Sequence, residues 1–293
     1  MPTLNDFKYK YLQHLSDGNS ISTRWSSWKS VIQQNLSSVN NWGTSAFDLG
    51  DKLSDIFTST HTPGRSQSTV QAAGDAWECL VTWYLNLIFW DTKIVVIKQN
   101  KKFVPESVSN CLTVTLSNVS TNTESDILIF SVPDHHLYNG SSLKDLDNHI
   151  SSRIGNLDLF VLQCKTNWED NAQIPMLWDM IYNSQSRLPH VSIGINGLSP
   201  QSVNNFRYGF ATVPTGKRGQ NVKPTQLKVL RVKNLTGGNY WGKPSQTNIA
   251  SSIKELPSRH FSYVFNGGVS NHLNNLKTHQ QQMVDNFIDL KFP

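Results

Sequence analysis

An acid, an amide and a lysine are the residues of this chain from which chemistry can be argued. Asp126 heads an apolar run, Ile127-Leu128-Ile129-Phe130, and Gln163-Cys164-Lys165 ends another that begins at Leu157. Each run has strand length and polar or turn-prone flanks, so each reads as a buried β-strand. The stretch as a whole opens at Glu124 and closes at Trp168. A carboxylate and a lysine brought to the ends of neighbouring strands can hold a divalent cation and steer a water beside it. Gln163 adds a neutral carbonyl oxygen, which compensates less of a cation's charge than a carboxylate would. Thirty-six residues separate Asp126 from Gln163, more than a tight hairpin needs. An insertion between the strands is expected, with a short helix over 143–154 that buries Leu146 and Ile150.

Other elements must position these residues. Leu4, Phe7, Tyr11 and Leu15 recur at helical spacing, as do Trp25, Trp28, Ile32 and Leu36, and residues 48–57 suggest a third helix. The strongest helical pattern covers 68–89, where Ala73, Ala76, Trp77, Leu80, Val81, Tyr84 and Ile88 form a wide apolar face. Glu78 interrupts that face, and an isolated buried charge is so costly that a partner or a metal is expected. Strands are expected over 93–99, 112–116, 190–196, 206–213 and 227–232, and an amphipathic helix over 273–288. A further helix is expected in the second half of 166–182, with Pro175 in its first turn. Residues 237–244 read as a loop with two aromatics. The fold class is therefore α/β, a mixed central sheet flanked by helices. One domain spans 1–293, with a helical part (1–90), a core that carries the chemistry (91–196) and a C-terminal part (197–293).

Ser125-Asp126 followed by Gln163-x-Lys165 resembles the PD-(D/E)XK nuclease superfamily, and within it the type II restriction endonucleases. Gln163 departs from the usual acid. The string Gly74-x-x-Trp77-Glu78 is similar to the helix that precedes the catalytic sheet in many of these enzymes. The resemblance covers about 74–182, and it implies a restriction-endonuclease-like fold, in which the C-terminal part (197–293) would recognise DNA. It further implies Mg2+-dependent, sequence-specific hydrolysis of double-stranded DNA. Asp126, Gln163, Glu78 and the backbone carbonyl of Cys164 would be metal ligands, and Lys165 would orient the attacking water. Cleavage of both strands of a palindromic site would favour a homodimer. Two other functions stay open: a structure-specific repair or junction nuclease of the same fold, and a non-enzymatic DNA-binding protein with Asp126 and Lys165 as a structural ion pair.

DNA contacts are expected from Asn167, Asn171 and Gln173 just past the lysine, and from Arg65 in the loop 61–68. Lys217, Arg218 and Lys223 are further candidates, in a cationic loop (214–224) without an acid. For each of these a plain solvated loop is the competing reading. The net charge of +5 and the pI near 9.0 favour a polyanionic partner mildly. Mean hydropathy is −0.39, and no apolar run is long enough to span a membrane. The first ten residues carry no secretory h-region, and Cys79, Cys111 and Cys164 show no paired spacing. A cytoplasmic protein with reduced thiols is expected. Asp134-His135-His136 is a weak metal candidate, because adjacent side chains on an extended segment diverge. Phosphate-binding, dinucleotide, zinc-protease and nucleophile-elbow motifs do not occur.

Overall fold

The computed structural model describes residues 3–37, 41–60, 67–122, 125–168, 190–213, 222–242 and 252–292. In chain order the elements are α1 (Leu4–Ser16), α2 (Asn19–Ser37), α3 (Trp42–Thr58), α4 (Gln67–Ile88), β1 (Ile94–Lys98), α5 (Glu106–Leu112), β2 (Thr113–Leu116), β3 (Val119–Asn122) and β4 (Ile127–Ser131). They continue with α6 (Leu143–Ser151), β5 (Asp158–Lys165), β6 (Val191–Ile193), β7 (Asn205–Thr212), α7 (Leu227–Leu235), β8 (Tyr240–Gly242), α8 (Glu255–His260), α9 (Val269–His279) and α10 (Gln281–Asp289). Local chemistry sets several of the starts. Thr3 with Asp6, and Ser142 with Asp145, close reciprocal capping boxes on α1 and α6, which satisfy otherwise orphaned first-turn amides.

The central sheet has the order β1-β4-β5-β7-β8 and is mixed. β4 runs antiparallel to both β1 and β5, while β5, β7 and β8 run parallel. Both faces are covered, which is why β4 and β5 read as unbroken apolar runs and are buried throughout. On one face, Trp77, Leu80, Val81 and Tyr84 of α4 pack with Ile127, Ile129, Phe160, Leu162 and Cys164. On the other, Leu128, Phe130, Leu159 and Val161 pack with Phe7 and Tyr11 of α1 and with Leu146 and Ile150 of α6. A third cluster gathers Trp168, Phe210, Val222, Val229 and Tyr240. A second sheet, β3-β2-β6, is built from the segments around 113–122 and 191–193. Among the described residues no helix is long and apolar enough to cross a membrane. All three cysteines are free and buried.

Several expectations are corrected. Residues 227–232 belong to helix α7, not to a strand. Val229, Val232 and Leu235 are buried at three-residue intervals, while Leu227 and Leu230 face outward. The alternation of Leu-Lys-Val had imitated a strand period, although lysine, arginine and leucine favour helix. The 237–244 loop contains β8, which extends the central sheet beside β7. The C-terminal helix is split at Gln280, whose side chain accepts from Trp90 Nε1 at 2.9 Å and donates to Asp91 Oδ2 at 2.9 Å. The strands expected near 112–116 and 190–196 exist in shorter form and pair with each other in the second sheet. The expected helix within 166–182, and the loops 61–66 and 214–221, lie outside the described residues.

Candidate functional site

β4 and β5 pair with Ile127 opposite Leu162, so one further step of the register sets Asp126 opposite Gln163. The ladder ends there, at the edge where β4 begins. Lys165 Nζ lies 3.3 Å from Asp126 Oδ2, and the Cys164 amide donates to the same oxygen at 2.7 Å. Their side chains are nearly closed off from solvent, at 10% and 11% exposure for Lys165 and Asp126. Gln163 is 1% exposed. On the neighbouring β7 the Val213 amide takes the Lys165 carbonyl. By the alternation of a parallel ladder, the Cys164 carbonyl then points the other way, toward the β4 edge where Asp126 sits.

Alternation also decides which face is involved. Cys164 packs under α4, so Gln163 and Lys165 project to the opposite face, together with Asp126. Glu78 comes from α4 and therefore reaches the site from the other side. Its Oε2 lies 3.3 Å from Lys98 Nζ, and Lys98 also pairs with Asp75. Burial first, and the Asp126 carboxylate second, push the Glu78 carboxyl up to about 8, against the pull of Lys165. Burial likewise pushes the Lys98 ammonium down. The structure thus brings Asp126, Gln163, Cys164 and Lys165 together, and places Glu78 as an electrostatic neighbour bound to Lys98.

Two residues missed in the sequence stand nearby, on β7. Tyr208 and Thr212 of β7 share the face of Gln163 and Lys165, since in register Val161 meets Tyr208 and Lys165 meets Thr212. Both hydroxyls are buried and lack a hydrogen-bond partner among the described residues. Burial and the charge of Asp126 push the Tyr208 phenol well up, so it stays a proton donor. No local pattern in the sequence marks them, since the alternate positions Phe206, Tyr208, Phe210 and Thr212 mix apolar and polar types.

The oxygen donors at this edge are the Asp126 carboxylate, the Gln163 amide oxygen and the Cys164 carbonyl. Hard oxygens with one carboxylate fit Mg2+, which keeps several waters and takes phosphate oxygens as further ligands. Among the described residues no three His, Cys, Asp or Glu side chains come together to hold a metal by themselves. His135 and His136 are exposed on a short 3-10 turn with their rings 6.0 Å apart and crossed, and Asp134 pairs with Arg153 instead.

Of the expected DNA contacts, Asn167 is exposed just past Lys165. Lys223 is exposed beside Val222, which packs with Trp168. Trp168 itself is buried against Phe210 and Tyr240 and anchors the chain leaving β5. Gly242 lies so close beneath it that an added Cβ would meet the indole at 2.2 Å. Arg65, Asn171, Gln173, Lys217 and Arg218 lie outside the described residues. Compared with protein-family models, with curated proteins and with solved structures, the chain finds no match.

Proposed function

We propose that this chain is a Mg2+-dependent endonuclease that cuts double-stranded DNA at specific sequences, as type II restriction enzymes do. One observation carries the reading. An acid at the head of one strand and a lysine at the end of its antiparallel neighbour meet across 3.3 Å, in a nearly closed position where the pairing stops. The surrounding order supports it: a buried helix with Glu78, then three antiparallel strands, then a parallel fourth. Stability alone gives little reason to bury such a pair, because desolvation offsets much of its attraction. Shifted ionisations gather around Asp126, in Glu78, Cys164 and Tyr208, as they do at sites that move protons.

Asp126, Gln163 and the Cys164 carbonyl would hold the cation. When bound, Mg2+ offsets the charge that develops on the phosphoryl oxygens. Lys165 donates to the attacking water, fixes its line of approach and adds positive charge beside the phosphorus. The Cys164 amide fixes the orientation of the Asp126 carboxylate. Gln163 supplies dipole without charge, so the site depends more heavily on Asp126 than a two-carboxylate site would. Two copies related by a two-fold axis would cut both strands of a symmetric site.

The test is incubation with a fully sequenced, phage-length DNA in Mg2+, with and without EDTA, beside Lys165→Ala. Discrete fragments that require Mg2+ and Lys165 are expected. A Mg2+-dependent smear would replace sequence specificity with a structure-directed nuclease. Intact DNA that shifts on a gel would leave a binding protein.

A further inference from the structure

Two adjoining cavities open next to Asp126, on its own face of β4. One, of about 260 Å3, is lined by Ser125, the residue before Asp126, and by Leu128, two residues beyond it. The other, of about 700 Å3, continues along the second sheet. They share Gln99, Lys101, Ser109 and Asn122 as lining, so they form one groove. Gln99 ties the groove to the site: its amide donates to the Asp126 carbonyl at 3.0 Å, and its Oε1 accepts from Ser125 Oγ at 3.1 Å.

The lining chemistry is selective. Asn110, Thr113, Ser120 and Thr121 join Gln99 and Asn122 in the wall of the wider cavity, with Lys101 as its one cation. A surface meant for phosphates carries many cations, whereas neutral amides and hydroxyls match the donor and acceptor pattern of base edges. The outer wall is the β2–β3 hairpin, an antiparallel ribbon whose β3 is an edge strand and mostly exposed. A two-stranded ribbon fits the major groove of B-form DNA. At the tip of this ribbon Leu116 and Val119 are 41% and 69% exposed. Exposed apolar side chains of this kind suit the thymine methyl group.

We infer that the β2–β3 hairpin, with Asn110 and Asn122 in the groove at its foot, reads base edges of the DNA beside the bond cut at Asp126. This rests on the nuclease reading above. It assigns base readout to an insertion between the first two strands of the central sheet, and not to the C-terminal third of the chain.

The test separates binding from cutting. In a Lys165→Ala background, the protein selects duplexes from a randomised library, and Asn110→Ala, Asn122→Ala and Val119→Ser are each added. Val119→Ser is included because so exposed a residue cannot unfold the chain, whereas Asn122 also accepts from Thr113 Oγ1. The expected result is a defined motif for the parent. Each variant then loses about ten- to a hundred-fold preference at one or two adjacent positions, with affinity for random DNA kept. A motif unchanged in all three variants would overturn the inference while the nuclease reading stands. So would a uniform loss at every position, which marks phosphate contact. A parent that selects no motif, from a wild type that cuts no DNA, would overturn both.

Discussion

β4 and β5 each begin with an aspartate close by, and because the strands are antiparallel, Asp126 and Asp158 stand at opposite ends of one sheet. Their surroundings differ in kind. Asp158 is held by neutral donors: Asn204 Nδ2 at 2.7 Å and the Tyr263 hydroxyl. Its own amide donates to Ser131 Oγ, and Lys93 lies over the Tyr263 ring at 4.7 Å. Burial, and then the bond to Asp158, hold the Tyr263 phenol protonated as a donor. Nearby, burial pushes the His260 imidazole down to about 4, so it stays neutral. Asp126 instead has near it a lysine, a carboxyl that titrates near neutrality and two hydroxyls that lack a hydrogen-bond partner among the described residues. A carboxylate surrounded by neutral donors ties a strand end to its neighbours. On the nuclease reading, one set among charged and unsatisfied groups would keep capacity for a cation and a phosphate.

Substitutions at the two ends should therefore separate activity from stability. The largest effect is expected for Asp126→Asn, which keeps the shape and the Cys164 contact but removes the charge. Cleavage should fall by about three orders of magnitude or more, with DNA binding kept, as read by fragment yield and gel shift. At the other end, Asp158→Ala removes the charged acceptor shared by the half-exposed Tyr263 hydroxyl and the exposed Asn204 amide. It should lower stability by about 1–3 kcal/mol in urea unfolding and leave the cleavage rate per folded molecule unchanged. A cleavage defect in Asp158→Ala equal to that of Asp126→Asn would erase the distinction. Gly242→Ala, beneath Trp168, should cost a similar 1–3 kcal/mol by overpacking. It should also slow cleavage, because Trp168 follows Lys165 by three residues.

The parts of this arrangement that rest on short-range pattern could be read from the residues. The runs at 127–130 and 157–162 stand out because both faces of β4 and β5 are buried, and the periodicity of α4 is strong for the same reason. Asp126 and Lys165 follow from their place at the ends of those runs. What could not be read depends on long-range partners. Gln280 breaks the last helix because Trp90 and Asp91 hold its side chain, nearly two hundred residues away. Glu78 is taken up by Lys98, a residue that looked like an ordinary strand end. Tyr208 and Thr212 matter only through the parallel register of β7 with β5, which no local pattern encodes. The second sheet joins segments some seventy residues apart, so its groove was invisible too.

The effect most specific to the Asp126 end is a pH dependence of stability. The carboxyl of Glu78 rises from 4.5 to about 8 on folding, by burial and by the charge of Asp126. Between those two values the folded chain holds a proton that the unfolded chain has released, so stability falls as pH rises. The contribution is complete below about 4.5 and gone above about 8. Glu78→Gln is neutral throughout and should flatten that slope, measured as the urea midpoint at pH 5, 6, 7 and 8. Asp126→Asn removes the second cause of the shift and should flatten it in part, whereas Asp158→Ala should leave it as in the wild type. Parallel curves for wild type and Glu78→Gln would mean that Lys98 keeps Glu78 ionised in the folded chain. The helix α4 would then contribute a fixed ion pair to the site and no exchangeable proton.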